Sequence, residues 1–182
     1  IKLKDKKKHN KRLIKKKIKN LKLKDLQNKK LLYNEIGTEA SLIAKDKTIR
    51  KLVHSFQSNF AYNPPKKYRG SCLDGRDITY NIVPDADFKF FITANVKTRA
   101  LRRYNELKKL NKKISFNEVL KSLKKRDKSD YNRKISQLKK TKDSILINTS
   151  NLSKRACFLK IKKIIKFQYW LKGQIYLKDR DF

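Results

Sequence analysis

Residues 87–107 read DFKFFITANVKTRALRRYNEL. The first seven, 87–93, are a short apolar run rich in Phe and Ile, which predicts a buried strand. Asn95 stands where a helix N-cap belongs, and the run that follows predicts a helix to about Leu110. Working outward, Ser115 with Glu118 three residues later is a capping-box pattern that opens a second helix. Residues 144–148 (SILIN) predict another strand, and Ser153 opens a final helix whose Phe167, Tyr169 and Trp170 lie among lysines. Upstream, Thr38 is expected to cap a helix to about Ala61 that Asn63, Pro64 and Pro65 end. Ser71 to Leu73 is a further short strand candidate. Strands alternating with helices predict an α/β layer around a parallel sheet.

The chain has 182 residues with 51 Lys and Arg against 16 Asp and Glu, a formal net charge of +35. At 38% apolar and 37% charged residues it is too hydrophobic for a disordered tail and too interrupted for a membrane span. The charge predicts a polyanionic partner: nucleic acid, an acidic membrane surface or phosphorylated small molecules. Forty of the cations are Lys, concentrated in segments 1–30 and 101–182, where a compositional bias toward Lys, Ile and Asn accounts for them. The eleven Arg, able to fork onto phosphate or carboxylate, carry more information. Cys72 and Cys157 have no metal-ligand spacing and predict small apolar residues of a reduced, cytoplasmic protein; no metal site is expected. Met is absent and the sequence begins at Ile1, which leads us to expect a fragment whose N-terminus lies upstream.

Arg99, Arg102 and Arg103 are spaced i, i+3, i+4, so one helix face carries three guanidinium groups. Their repulsion is costly unless an anion sits among them. Arg126, Asp130 and Arg133 at i, i+4, i+7 form a second stripe with a carboxylate between two cations. Alone, either stripe also fits a solvated helix face or an exposed salt-bridge ladder. Asp74, Gly75, Arg76 and Asp77 follow the predicted 71–73 strand, where α/β folds place ligand sites. GSCLDGRD (70–77) has the glycine spacing of a phosphate-binding loop, but Arg76 and Asp77 replace its Lys and Ser/Thr and no helix follows.

Together, LDGRDITYNIVPDADFKFFITANVKTRALRRYNEL (73–107), KKRDKSDYNR (124–133) and SILINTSNLS (144–153) resemble the bacterial cytidylate kinases. That family has GRD and PDA before a strand, then an RA-x-RR helix and an RD-x-x-D-x-NR helix, in this order. The upstream EASLIAKDKTIRKLVHSFQSNFA (39–61) is similar to its helix with A-S followed nine residues later by R. Thr79 and Tyr80 stand where the family usually has Gly-Thr, and Gln137 where it has Pro. No phosphate-binding loop precedes these motifs.

The resemblance implies a P-loop nucleoside-monophosphate-kinase fold: a three-layer α/β structure with a parallel sheet core, a nucleotide-binding insert and a helical lid. Residues 1–171 would be one kinase domain lacking its first strand and phosphate-binding loop, with 1–62 the monophosphate-binding region, 98–113 the lid and 172–182 a tail. It further implies a cytoplasmic, monomeric transferase, without membrane partner, that moves the γ-phosphoryl group of ATP, with Mg²⁺, to CMP or dCMP. Lacking the loop, the fragment is expected to be inactive alone. Ser41, Arg50 and Asp77 would read cytosine, Arg76 and Arg133 hold phosphate, and Arg126 with Asp130 grip the ribose. Arg99, Arg102 and Arg103 would close over the transferring group; with Arg133 they are the expected catalytic residues. The alternative, a basic RNA-binding or ribosome-associated protein, rests on the charge of the two ends. It leaves unexplained why seven of the eleven arginines fall on motif positions.

Overall fold

The computed structural model describes residues 11–21, 46–109 and 113–178, with positions 25, 28, 31, 36, 40 and 43 between the first two stretches. In the last helix, side chains are described as far as Trp170. The chain forms two compact units, Ile1–Pro84 and Asp85–Phe182.

In the first unit, α1 (Lys11–Lys19) packs against α2 (Lys47–Tyr62). Asp46 caps α2, its carboxylate accepting from the Thr48 and Ile49 amides at 2.8 and 3.1 Å. The expected cap, Thr38, lies outside the described residues. Ile49 is buried within the first turn, and α2 ends where Asn63 precedes Pro64. Ser71 to Leu73 is not a strand. Its three residues have no partner strand among the described residues, and the Ser71 hydroxyl instead donates to the Ala61 carbonyl near the end of α2 at 2.8 Å. A wide helical turn, Ile78–Ile82, follows. It closes with the Val83 amide donating to the Ile78 carbonyl at 2.9 Å, and it buries Ile78 and Ile82.

The second unit contains β1 (Phe90–Thr93), α3 (Val96–Lys108), α4 (Phe116–Asn132), β2 (Ile145–Asn148) and α5 (Lys154–Lys178). The strands pair in parallel, Phe90 opposite Ile145 through Thr93 opposite Asn148, so α3 and α4 form the crossover that a parallel pair requires. Ala100, Leu107 and Val119 form the buried seam between α3 and α4, lined by Tyr104, Ile114, Phe116, Leu120 and Leu123. Ala100 is fully buried, its small side chain allowing the two helices to approach closely. The Asn95 side chain accepts from the Lys97 amide at 2.8 Å, as its position predicts. Ser115 and Glu118 make the reciprocal capping box. α5 continues through residues 172–178, the start of the expected tail, and Tyr169 packs edge-on against Phe88 with ring centroids 5.0 Å apart. No helix among the described residues is long and apolar enough to cross a membrane.

Candidate functional site

Two of the predicted residues, Arg50 and Asp77, meet in the first unit. Arg50 projects from the first turn of α2, and its Nη1 lies 3.7 Å from the Asp77 carboxylate. Asp77 precedes the wide turn and also accepts from the Asn81 side chain at 2.9 Å. α2 holds that turn through His54, whose Nε2 donates to the Asn81 carbonyl at 2.9 Å. Arg76, half-buried, neighbours Asp77 in the chain. Gly75 sits close to Ile78: a Cβ there would meet its side chain at 2.8 Å, so the buried Ile78 would have to shift. An arginine partnering a mostly buried carboxylate beside an Asn gives a cluster with both donors and acceptors, suited to the polar edge of a planar base. Ser41 lies outside the described residues.

The second unit holds the other stripe, and burial sets it apart from a surface ladder. The Asp130 side chain is only 5% exposed. Arg133 Nη1 lies 3.2 Å from one of its oxygens and Arg126 Nε 3.9 Å from the other. Arg133 also donates through Nε to the Ser136 carbonyl. Ser136 adopts the left-handed conformation (φ 54°), and the Asp130 carbonyl accepts from the Leu138 amide at 2.8 Å, so the chain after α4 wraps back over its last turn. This fold-back leaves Arg133 24% exposed and Arg126 49% exposed, two cations supported from behind by one carboxylate.

The three arginines of α3 diverge. Arg99 forks onto Asp127 with Nη1 and Nη2 at 2.9 and 2.7 Å from the two oxygens, and its Nε donates to the Ala94 carbonyl at 3.0 Å. The Asp127 hydrogen bonds raise the Arg99 pKa above its ordinary value, against the opposing effect of burial. Arg102 donates to the Thr149 hydroxyl and carbonyl and to the Leu152 carbonyl, tying α3 to the β2–α5 loop. Arg103 pairs with Glu106 one turn along, at 3.3 Å. The repulsion expected of a shared face is therefore offset by the protein's own acceptors. Sequence reasoning gave Asp127 no role, although it is the aspartate of RD in the RD-x-x-D-x-NR pattern and the helical period places it about 100° from Arg126 and off the stripe.

Among the described residues no group of three or more His, Cys, Asp and Glu could hold a metal ion. Asp77, Asp127 and Asp130 face arginines, an arrangement unsuited to Mg²⁺.

Arginines oriented by carboxylates, one of them the buried Asp130, have the forked geometry that suits phosphorylated ligands. The cytidylate kinase family model matches residues 2–167. Similar chains include the cytidylate kinases of Bartonella tribocorum, 47% identical over 128 residues, and of Clostridium botulinum (strain Okra), 44% identical over 131. That of Mesomycoplasma hyopneumoniae (strain 7448) is 40% identical over 136 residues. These alignments cover 70, 72 and 74% of this chain and 58% of each relative. The chain belongs to the cytidylate kinase family, and with it to the P-loop nucleoside-monophosphate-kinase fold. It spans less than two thirds of the length of these curated relatives.

Proposed function

We propose that this chain carries the monophosphate-binding and lid parts of a kinase that transfers the γ-phosphoryl group of ATP to CMP or dCMP, giving CDP or dCDP and ADP. The observation that carries the reading is Asp130, buried between Arg126 and Arg133, since an aspartate so placed orients both cations toward one ligand. Residues 1–171 act as one kinase domain in this reading, with 1–62 receiving the monophosphate and 98–113 closing as a lid. The enzyme works in the cytoplasm as a monomer.

Asp77 accepts from the exocyclic amino group of cytosine, helped by Arg50 and Ser41. Uracil presents a carbonyl there, and two facing acceptors leave a buried carboxylate unsatisfied, the kind of mismatch that discriminates most strongly. Arg126 and Asp130 hold the ribose, and Arg76 and Arg133 the α-phosphate. Of the α3 arginines, Arg103 pairs with Glu106 within its own helix, so its turning toward a phosphoryl group leaves the ties of α3 to Asp127 and to the β2–α5 loop in place. Arg102 would have to release three acceptors. Phosphoryl transfer relies on positioning and charge stabilisation, which such arginines supply once water is excluded. Mg²⁺ would enter with ATP and would neutralise charge on its phosphates.

A coupled ADP-release assay on the full-length protein tests this. Turnover should require CMP or dCMP, fall at least about 100-fold with UMP, and fall steeply in Arg133→Lys, which keeps the charge but loses the fork. Equal rates with AMP, or no dependence on CMP, would sink the reading.

A further inference from the structure

We propose that Arg99 and Asp127 are a positioning pair that fixes the rotation of α4, and thereby aims the Arg126–Asp130–Arg133 stripe at the nucleotide. The proposal rests on the kinase reading above but assigns Arg99 a place away from the reacting atoms and adds a role for Asp127, the aspartate of RD in the RD-x-x-D-x-NR pattern, to which the resemblance gives none.

Arg99 uses its Nε and both terminal nitrogens at once. Two bonds go to the carboxylate oxygens of Asp127 and one to the Ala94 carbonyl at the C-terminal end of β1. The guanidinium is planar and rigid, so a bidentate fork constrains orientation as well as distance. It therefore couples the end of β1 to the part of α4 that carries the stripe. At about 100° per residue, Arg126, Asp130 and Arg133 fall within an arc of roughly 60°, and Asp127 lies about 60° beyond Asp130. Asp127 thus faces α3 while the stripe faces elsewhere. A rotation of α4 by 10° would move groups on its surface, some 5–6 Å from the axis, by about 1 Å. A displacement of that size lengthens the contacts of the stripe to the bound monophosphate, and its loss of binding is read in KM for CMP.

The apolar seam of Ala100, Leu107 and Val119 with Tyr104, Phe116, Leu120 and Leu123 holds the two helices together, and the fork adds a directional constraint that non-directional apolar packing lacks. The fork is partly exposed, with Arg99 at 35% and Asp127 at 27%, so it works as an adjustable strut at the edge of the seam.

Steady-state kinetics on the full-length protein, with folding of each variant verified by thermal unfolding, test the pair. Asp127→Asn should raise KM for CMP about tenfold and change kcat less than twofold. Arg99→Lys, which keeps the charge but not the fork, should match it. The double variant should be no worse than either single one, because both changes remove the same fork. Asp127→Glu, retaining the carboxylate, should recover most of the loss. Should kcat fall instead, or the two losses multiply, Arg99 acts directly on the phosphoryl group and the proposal is overturned. An unchanged KM in Asp127→Asn overturns it as well. Wild-type protein without CMP-dependent turnover overturns the kinase reading and this inference with it; an active wild type with an indifferent Asp127→Asn overturns the inference alone.

Discussion

Asp130 and Asp143 show opposite fates of a carboxylate beside a cation. Asp130 is buried, and its i, i+4, i+7 spacing with Arg126 and Arg133 was legible in the sequence, whereas its burial was not, because it depends on the fold-back through Ser136. Asp127 escaped notice for a similar reason: its partner lies 28 residues earlier on another helix. Asp143 is 57% exposed and takes a hydrogen bond from Lys89, which is nearly buried and sits just before β1. That bond, with help from Thr141, lowers the Asp143 pKa from the ordinary 3.8 to about 2. Between these values the unfolded chain binds a proton that the folded chain does not. The stabilisation from Asp143 is therefore complete above pH 3.8 and lost as pH falls toward 2. Chemical denaturation across this range should show stability falling with acid in the wild type, with Asp143→Asn flattening part of the slope. A carboxyl titration of Asp143 by NMR with an unshifted midpoint would contradict the assignment.

At the level of elements, local chemistry was readable wherever it is self-contained. Ser115 and Glu118 form their capping box, Asn95 caps α3, and the 87–93 and 144–148 runs contain β1 and β2. The 71–73 segment failed because a strand exists only through its neighbour, and nothing in three residues says whether one is present. The wide turn at Ile78–Ile82 likewise depends on α2, whose His54 and Ser58 reach its carbonyls. The capping box supports a sharp expectation. Ser115 accepts from the Glu118 amide at 3.2 Å, and the Glu118 carboxylate accepts from the Ser115 amide at 3.0 Å. Ser115→Ala should therefore lower stability by about 1 kcal/mol, measured by denaturant midpoint at constant slope. It should also move the Glu118 pKa back toward its ordinary value, because the Ser115 backbone amide and then its hydroxyl hold that pKa down and the hydroxyl contact is removed. Glu118→Gln, which can still accept from the amide, should cost less.

For the molecule as a whole, the +35 charge pointed to a polyanion of unspecified kind, yet most of it is lysine in the end segments, while the candidate site is built around arginine. The carboxylates at these arginines are few and mainly orient them, as Asp77, Asp127 and Asp130 do. The remaining cations act on the fold chiefly by repelling one another, and repulsion between exposed charges is what salt screens. Raising NaCl from about 0.01 to 0.15 M shortens the Debye length from about 30 to 8 Å, so distant Lys–Lys repulsion should weaken more than close ion pairs. The thermal midpoint should rise, by about 2–4 °C for each kcal/mol of repulsion relieved. At equal ionic strength, phosphate should raise it further than chloride if the arginine sites bind phosphoryl groups, because an anion bound only to the folded chain stabilises it by mass action. Arg133→Lys should remove much of the excess from phosphate while leaving the NaCl response intact. If surface lysines were the phosphate sites, the excess would survive Arg133→Lys and disappear on neutralising lysines in the end segments.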